Sequence, residues 1–221
     1  MATSKAGKGR KRESVLTKKK ATSGSAQRRT KSAEVYEIKM FLADSHPPIW
    51  RRLAVRSDMT LAKLHDVIQI VMGWQNCHLH QFIVGDDKDP TYYGVPDVGL
   101  MADLGPQTLS DAKVQLRDIA KQRGSRFVYE YDFGDSWIHG LEVVEVKPLE
   151  KGARYPVCLG GERTGPPDDC GGVWGYDNLL QAIADPKHED HDDLLEWVGG
   201  KFDPEAFDLD EVNTALKKWI R

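Results

Sequence analysis

The sequence predicts an α+β domain: a mixed or mostly antiparallel sheet with helices packed on one side and a helical C-terminus. Three observations carry this expectation. Apolar and polar residues alternate over Val35–Leu42, Ile49–Arg56, His78–Val84, Arg126–Tyr131 and Trp137–Val146, the period of half-buried strands. Helical spacing replaces it over Tyr176–Ala184, His191–Trp197 and Leu209–Ile220. The order strand, strand, helix, three strands, then helices lacks the regular alternation from which parallel sheets are built.

Taken in order, Val35–Leu42 is the first strand, and His46-Pro47-Pro48 forces an extended turn after it. Ile49–Arg56 is its hairpin partner. Ser57 or Asp58 then caps a helix from about Thr60 to Met72, with Leu61, Leu64, Val67, Ile68 and Val71 as its buried stripe and Gly73 as its stop. His78–Val84 follows as a strand, turned by Gly85-Asp86-Asp87. Residues 86–108, rich in Gly, Pro and Asp, read as a long loop, a length that is uncommon without a binding role or mobility. A short helix is expected within Leu109–Lys121. Arg126–Tyr131 and Trp137–Val146 form the strongest strand pair, and Tyr155–Gly175 reads as a second Gly/Pro-rich stretch.

Charge divides the chain. Residues 1–33 hold eleven of the 31 Lys/Arg and one of the 34 Asp/Glu, so a basic tail precedes an acidic body. With Val15 and Leu16 as its large apolar residues, the tail has too little surface to bury to offset the entropy of ordering. We therefore divide the chain into a disordered tail, 1–33, and one α+β domain, 34–221. Lys8, Arg10, Lys11, Arg12, Lys18, Lys19, Lys20, Arg28 and Arg29 are the residues that would touch nucleic acid, if only weakly and without sequence preference. No apolar run reaches the ~18 residues of a membrane span, and no secretory h-region is visible. Three cysteines, Cys77, Cys158 and Cys170, do not suggest a disulfide framework, and the expectation is a reducing cytoplasm.

Chemistry-bearing residues concentrate in three segments. In Tyr129–His139 a two-residue turn at Phe133-Gly134 would pair Asp132 with Asp135 and Glu130 with Trp137. Glu130, Asp132, Asp135, Trp137 and His139 would then share one sheet face as a candidate ligand pocket. The plainer reading has both aspartates cap the turn and His139 serve as a hydrogen-bonded core residue. His78 and His80, at i and i+2 on a strand, face the same way. With Asp132 and His139 they make a candidate divalent-metal set, zinc fitting best. Asp169 and Cys170, in Pro166-Pro-Asp-Asp-Cys-Gly-Gly172, are further pocket candidates, though the Cys158–Cys170 spacing is not that of a zinc ribbon. His188-Glu-Asp-His191 has two residues between its histidines where the zincin motif has three. Phosphate-cradling loops, nucleophile elbows and kinase signatures are absent from the sequence.

Tyr36–Leu42 with Ile49-Trp50-Arg51-Arg52, Gly73-Trp74, His78–Phe82, Tyr129–His139, Tyr155-Pro156, Pro166–Gly172 and Phe202-Asp203-Pro204 together resemble the plasmid pRiA4b ORF-3-like family. The resemblance spans about residues 34–220. It implies an α+β domain and a link to plasmids or mobile elements, but no activity. Members described as passenger proteins of insertion elements sometimes carry a TnpR-type resolvase label. The acidic body here offers no arginine-clustered serine to support that chemistry. Two functions follow as expectations: a non-enzymatic accessory module binding a protein or small ligand, with its tail on nucleic acid, or a metal-dependent hydrolase or nuclease.

Overall fold

The computed structural model describes residues 32–86, 88–96 and 107–220. The proposed nucleic-acid tail, from Lys8 to Arg29, and the middle of the 86–108 stretch lie outside the described residues. Residues 33–221 form one compact unit.

Eight strands form one sheet: β1 (Glu34–Leu42), β2 (Trp50–Arg56), β3 (His80–Val84), β4 (Thr91–Gly94), β5 (Thr108–Ser110), β6 (Arg126–Tyr131), β7 (Trp137–Pro148) and β8 (Val157–Glu162). Their order is β5-β4-β3-β6-β7-β1-β2-β8. Every pairing is antiparallel except β4 with β5, so the sheet is mixed and the α+β class holds. The helices are α1 (Leu61–Met72), α2 (Leu116–Ile119), α3 (Gly172–Ala184), α4 (His191–Trp197) and α5 (Leu209–Trp219). No helix among the described residues is long and apolar enough to cross a membrane.

The alternation in β1 explains where the core sits. Tyr36, Ile38, Met40 and Leu42 turn inward against Leu61, Leu64, Val67, Ile68 and Val71 of α1, while Lys39 and Phe41 face out. Each large apolar side chain fully buried this way contributes roughly 1.5–3 kcal/mol relative to exposure. The α1 cap is Thr60, whose hydroxyl accepts the Lys63 N–H at 3.4 Å. Ser57 and Asp58 are otherwise engaged: the Ser57 hydroxyl accepts the Glu34 N–H at 2.9 Å, and Asp58 pairs bidentately with Arg56. At its other end Gly73, with φ +82°, closes α1 in a left-handed turn, a conformation open to glycine without strain.

Two stretches expected as loops contribute strands. Thr91–Gly94 and Thr108–Ser110 extend the sheet beyond β3, and the short helix expected within 109–121 is α2. The stretch 155–175 contains β8, antiparallel to β2. Its strand character is masked by glycine, and Gly161 is there for packing: a Cβ would lie 2.8 Å from the Arg51 side chain and 2.9 Å from the Trp50 carbonyl oxygen. Asn213 of α5 donates to the Cys158 carbonyl and accepts the Cys158 N–H, both at 2.9 Å. That pair docks α5 on the edge strand and covers it.

Arg51 ties these layers together from inside. It is 2% exposed and donates to the carbonyls of Val71, Trp50, Glu162 and Arg163, with its guanidinium 4.4 Å from the Phe207 ring centre. Burial pulls its pKa down to about 10.

Candidate functional site

The β6–β7 connection is the first correction. Tyr131 pairs with Trp137, Glu130 with Ile138 and Tyr129 with His139. Asp132–Ser136 therefore form a five-residue loop with left-handed backbone at Asp132 (φ 55°) and Ser136 (φ 54°). The shift of one residue reverses which side chains share a face. Tyr129, Tyr131, Trp137 and His139 all turn inward and are fully buried. The aromatic area gained by this register is the physical reason it displaces the two-residue turn. Glu130 faces the other way, accepting from Gln81 at 2.6 Å and from the Ser136 hydroxyl at 3.0 Å. The expected face of three acids with Trp137 and His139 does not form.

The expected metal set also separates. His139 lies in the core, its ring centre 5.4 Å from Trp74 and 5.7 Å from Tyr129, with Nδ1 3.1 Å from the Trp137 carbonyl. Burial lowers its pKa to about 4. His80 stacks on His65 of α1 at 3.5 Å between ring centres, and its Nε2 meets the Asp111 carboxylate at 2.9 Å. Neither belongs with His78. The core packing of Trp74, Tyr129 and Tyr131 claims His139, and the α1 face claims His80.

Three other segments do meet: residues 74–79 after α1, 132–136, and 166–172 before α3. His78 Nε2 lies 3.1 Å from Asp169 Oδ1 and 3.6 Å from Asp132 Oδ2. Asp132 Oδ1 accepts the Gly134 N–H at 2.9 Å, so the aspartate does cap its turn, with Oδ2 left over. Asp135 Oδ2 accepts the Gly171 N–H at 3.1 Å. Between these segments the Tyr131 hydroxyl donates to Asp168 Oδ1 and accepts the Cys77 N–H, each at 3.2 Å. Asp168 Oδ2 takes the Gln75 N–H at 3.0 Å, and the Trp74 indole donates to the Pro166 carbonyl at 2.8 Å. Cys170 is half-buried, and burial, followed by the Asp135 charge, pushes its thiol up to about 12. That makes it a poor nucleophile. Cys77, Cys158 and Cys170 are free.

Among the described residues, two groups bring metal-capable atoms within 4.8 Å of one another: His78 with Asp132 and Asp169, and His78 with Cys77 and Asp168. Of the expected pocket residues, the junction gathers Asp132, Asp135, Asp169 and Cys170 and leaves out Glu130, Trp137 and His139.

Sequence reasoning overlooked Asp168, Asn76 and Tyr131, along with a buried network behind them. His65 Nε2 meets Asn76 Oδ1 at 2.7 Å and His65 Nδ1 meets the Tyr129 hydroxyl at 2.8 Å. Gln69 donates to that hydroxyl at 3.0 Å and accepts the Asn76 N–H at 2.9 Å. The pattern assigns the proton to Nε2 of a neutral His65, since Asn76 Oδ1 can only accept. Burial, then the neighbouring His80, lowers the His65 pKa to about 4. The available signal was His65 and Gln69 standing one turn apart on the buried stripe of α1.

The family model for plasmid pRiA4b ORF-3-like proteins matches residues 34–211. An uncharacterized protein of Sinorhizobium fredii, y4hQ, is 36% identical over 197 residues, 86% of this chain and 96% of its own length. The crystal structure of a protein of unknown function from Methanosarcina mazei, MM3350, superposes with a TM-score of 0.72 at 34% identity, covering 81% of this chain and 96% of that one. The chain belongs to the plasmid pRiA4b ORF-3-like family.

Proposed function

We propose that this member of the plasmid pRiA4b ORF-3-like family is a non-enzymatic accessory module of a plasmid or mobile element. It recognises a ligand or protein partner at the three-loop junction and touches nucleic acid through its basic tail. One observation carries the reading. Of the six non-glycine residues with left-handed backbone among the described residues, four, Asn76, Asp132, Ser136 and Asp169, lie in the three converging loops. Such strain persists where the surrounding structure holds it, and it gathers at binding and catalytic sites. Two further features agree with it. Asp132, Asp135, Asp168 and Asp169 gather at one junction around His78, a concentration of carboxylates that suits a cation. Leu79, Phe133 and Trp174, which are 55%, 50% and 86% exposed, sit in or beside the same loops, as suits a surface built to be covered.

A recognition centre is not optimised for stability. In chelator-stripped protein, replacing Asp169, whose side chain is mostly exposed, with Asn should leave the melting temperature unchanged or raise it. A fall of several degrees would assign the junction a purely structural role and overturn the reading. The tail is tested separately: a chain starting at residue 34 should lose the salt-sensitive affinity of the full chain for a labelled DNA duplex. Equal affinity of the two forms would remove the tail from the proposal.

A further inference from the structure

Resting on the reading of the loop junction as a recognition centre, we propose that its ligand is a divalent transition-metal ion, zinc by its chemistry, held by His78 Nε2 and the carboxylates of Asp132 and Asp169. The spacing is the first argument. Zinc binds imidazole nitrogen and carboxylate oxygen at about 2.0–2.2 Å, which places neighbouring ligands of a tetrahedral ion about 3.3 Å apart. The two distances from His78 Nε2, 3.1 and 3.6 Å, bracket that edge. The second argument is what His78 does not do. Its Nε2 is shielded from solvent and forms no hydrogen bond, although two carboxylate oxygens are within 4 Å of it. A histidine serving as an ordinary ion-pair partner would point an N–H at one of them. Here the nitrogen lies near both oxygens without a hydrogen bond to either, as suits a metal ligand.

The supporting contacts select this ligand set over the other group that shares His78. Both oxygens of Asp168 already accept a hydrogen bond, one from the Tyr131 hydroxyl and one from the Gln75 N–H, so Asp168 serves first as a loop anchor. Asp132 is held through Oδ1 by the Gly134 N–H, which fixes the carboxylate and leaves Oδ2 toward His78. Outer hydrogen bonds of this type orient metal ligands. Both carboxylate ligands sit on left-handed backbone, at φ 55° for Asp132 and 61° for Asp169, so the strain that marks the junction falls on the residues that would hold the ion. Tyr131 is the positioning residue. Its hydroxyl joins the His78 loop to the Asp169 loop through Cys77 and Asp168.

The test uses the full, tag-free chain, stripped with chelator and titrated with Zn2+, Mn2+ and Mg2+ by calorimetry, with circular dichroism to confirm folding. One Zn2+ per chain is expected, bound more tightly than Mn2+ and far more tightly than Mg2+. Tyr131→Phe should weaken zinc by roughly 10–100-fold, and His78→Ala and Asp169→Ala by more. Glu196→Ala, at an exposed carboxylate of α4 outside the junction, should keep wild-type affinity. Absence of stoichiometric zinc uptake, or uptake indifferent to His78→Ala and Asp169→Ala, overturns the metal proposal. If zinc fails to bind while Asp169→Asn keeps the melting temperature, the recognition centre stands without the metal. If Asp169→Asn also destabilises the fold, both readings fall.

Discussion

Acid should destabilise this domain through its buried histidines. Burial moves His65 and His139 from the ordinary value of 6.5 down to about 4 in the fold. His65 faces His80, which opposes its charge, and Asp111, which favours it; His139 faces Arg51, which opposes its charge. For a base whose folded pKa is depressed, the unfolded chain binds more protons between the two values. Stability is therefore full at neutral pH, declines as pH falls below 6.5, and reaches its full loss near 4. At 1.36 kcal/mol per pKa unit, each histidine accounts for on the order of 3 kcal/mol, against a typical total of about 5–15 kcal/mol for a domain. Urea unfolding at pH 7.5, 6.5, 5.5 and 4.5, followed by tryptophan fluorescence, measures the slope. Where both histidines contribute, it should approach about 2.7 kcal/mol per pH unit. In a His65→Gln variant, compared with itself across pH, the slope should halve. A flat profile from pH 7.5 to 5, or an unchanged slope in His65→Gln, would refute the assignment of both imidazoles as neutral core groups.

Other outcomes rest on single contacts. Arg51→Lys keeps the charge but loses the fork that reaches four carbonyls; chemical denaturation should show a loss of about 3 kcal/mol. Ile38→Ala, at a fully buried position of β1, should cost about 2–5 kcal/mol by the same assay. Gly73→Ala forces a side chain onto a backbone at φ +82° and should lower stability by about 1 kcal/mol without shortening α1 in its circular dichroism spectrum. For a non-enzymatic module, zinc-treated wild type should hydrolyse bis(p-nitrophenyl) phosphate no faster than Asp169→Asn. A rate that Asp169→Asn abolishes would move the protein to the metal-dependent hydrolases.

The α+β class, β1, β2, α1, β6, β7 and the three C-terminal helices were legible because each rests on local periodicity, which the pleat of a strand or the turn of a helix converts directly into a buried face. The junction segments were legible for a different reason: His78, Asp132 and Asp169 concentrate ligand-capable side chains in stretches that otherwise read as strand or tight turn. Strands β4, β5 and β8 were not legible. Their residues follow no alternation, and Gly161 is set by the approach of Arg51 and Trp50 from the neighbouring strand. Nor was the partner of each histidine. Sequence placed His78 and His80 side by side and joined them to His139, but a metal-binding geometry depends on ångström separations that strand register decides. That register turned on one residue in the 132–136 loop. The energy that selected it comes from burying Tyr129, Tyr131 and Trp137 together against α1, a nonlocal term that no window of sequence contains. Tertiary packing thus sent His139 into the core and His80 to Asp111, and left His78 facing two aspartates from opposite loops.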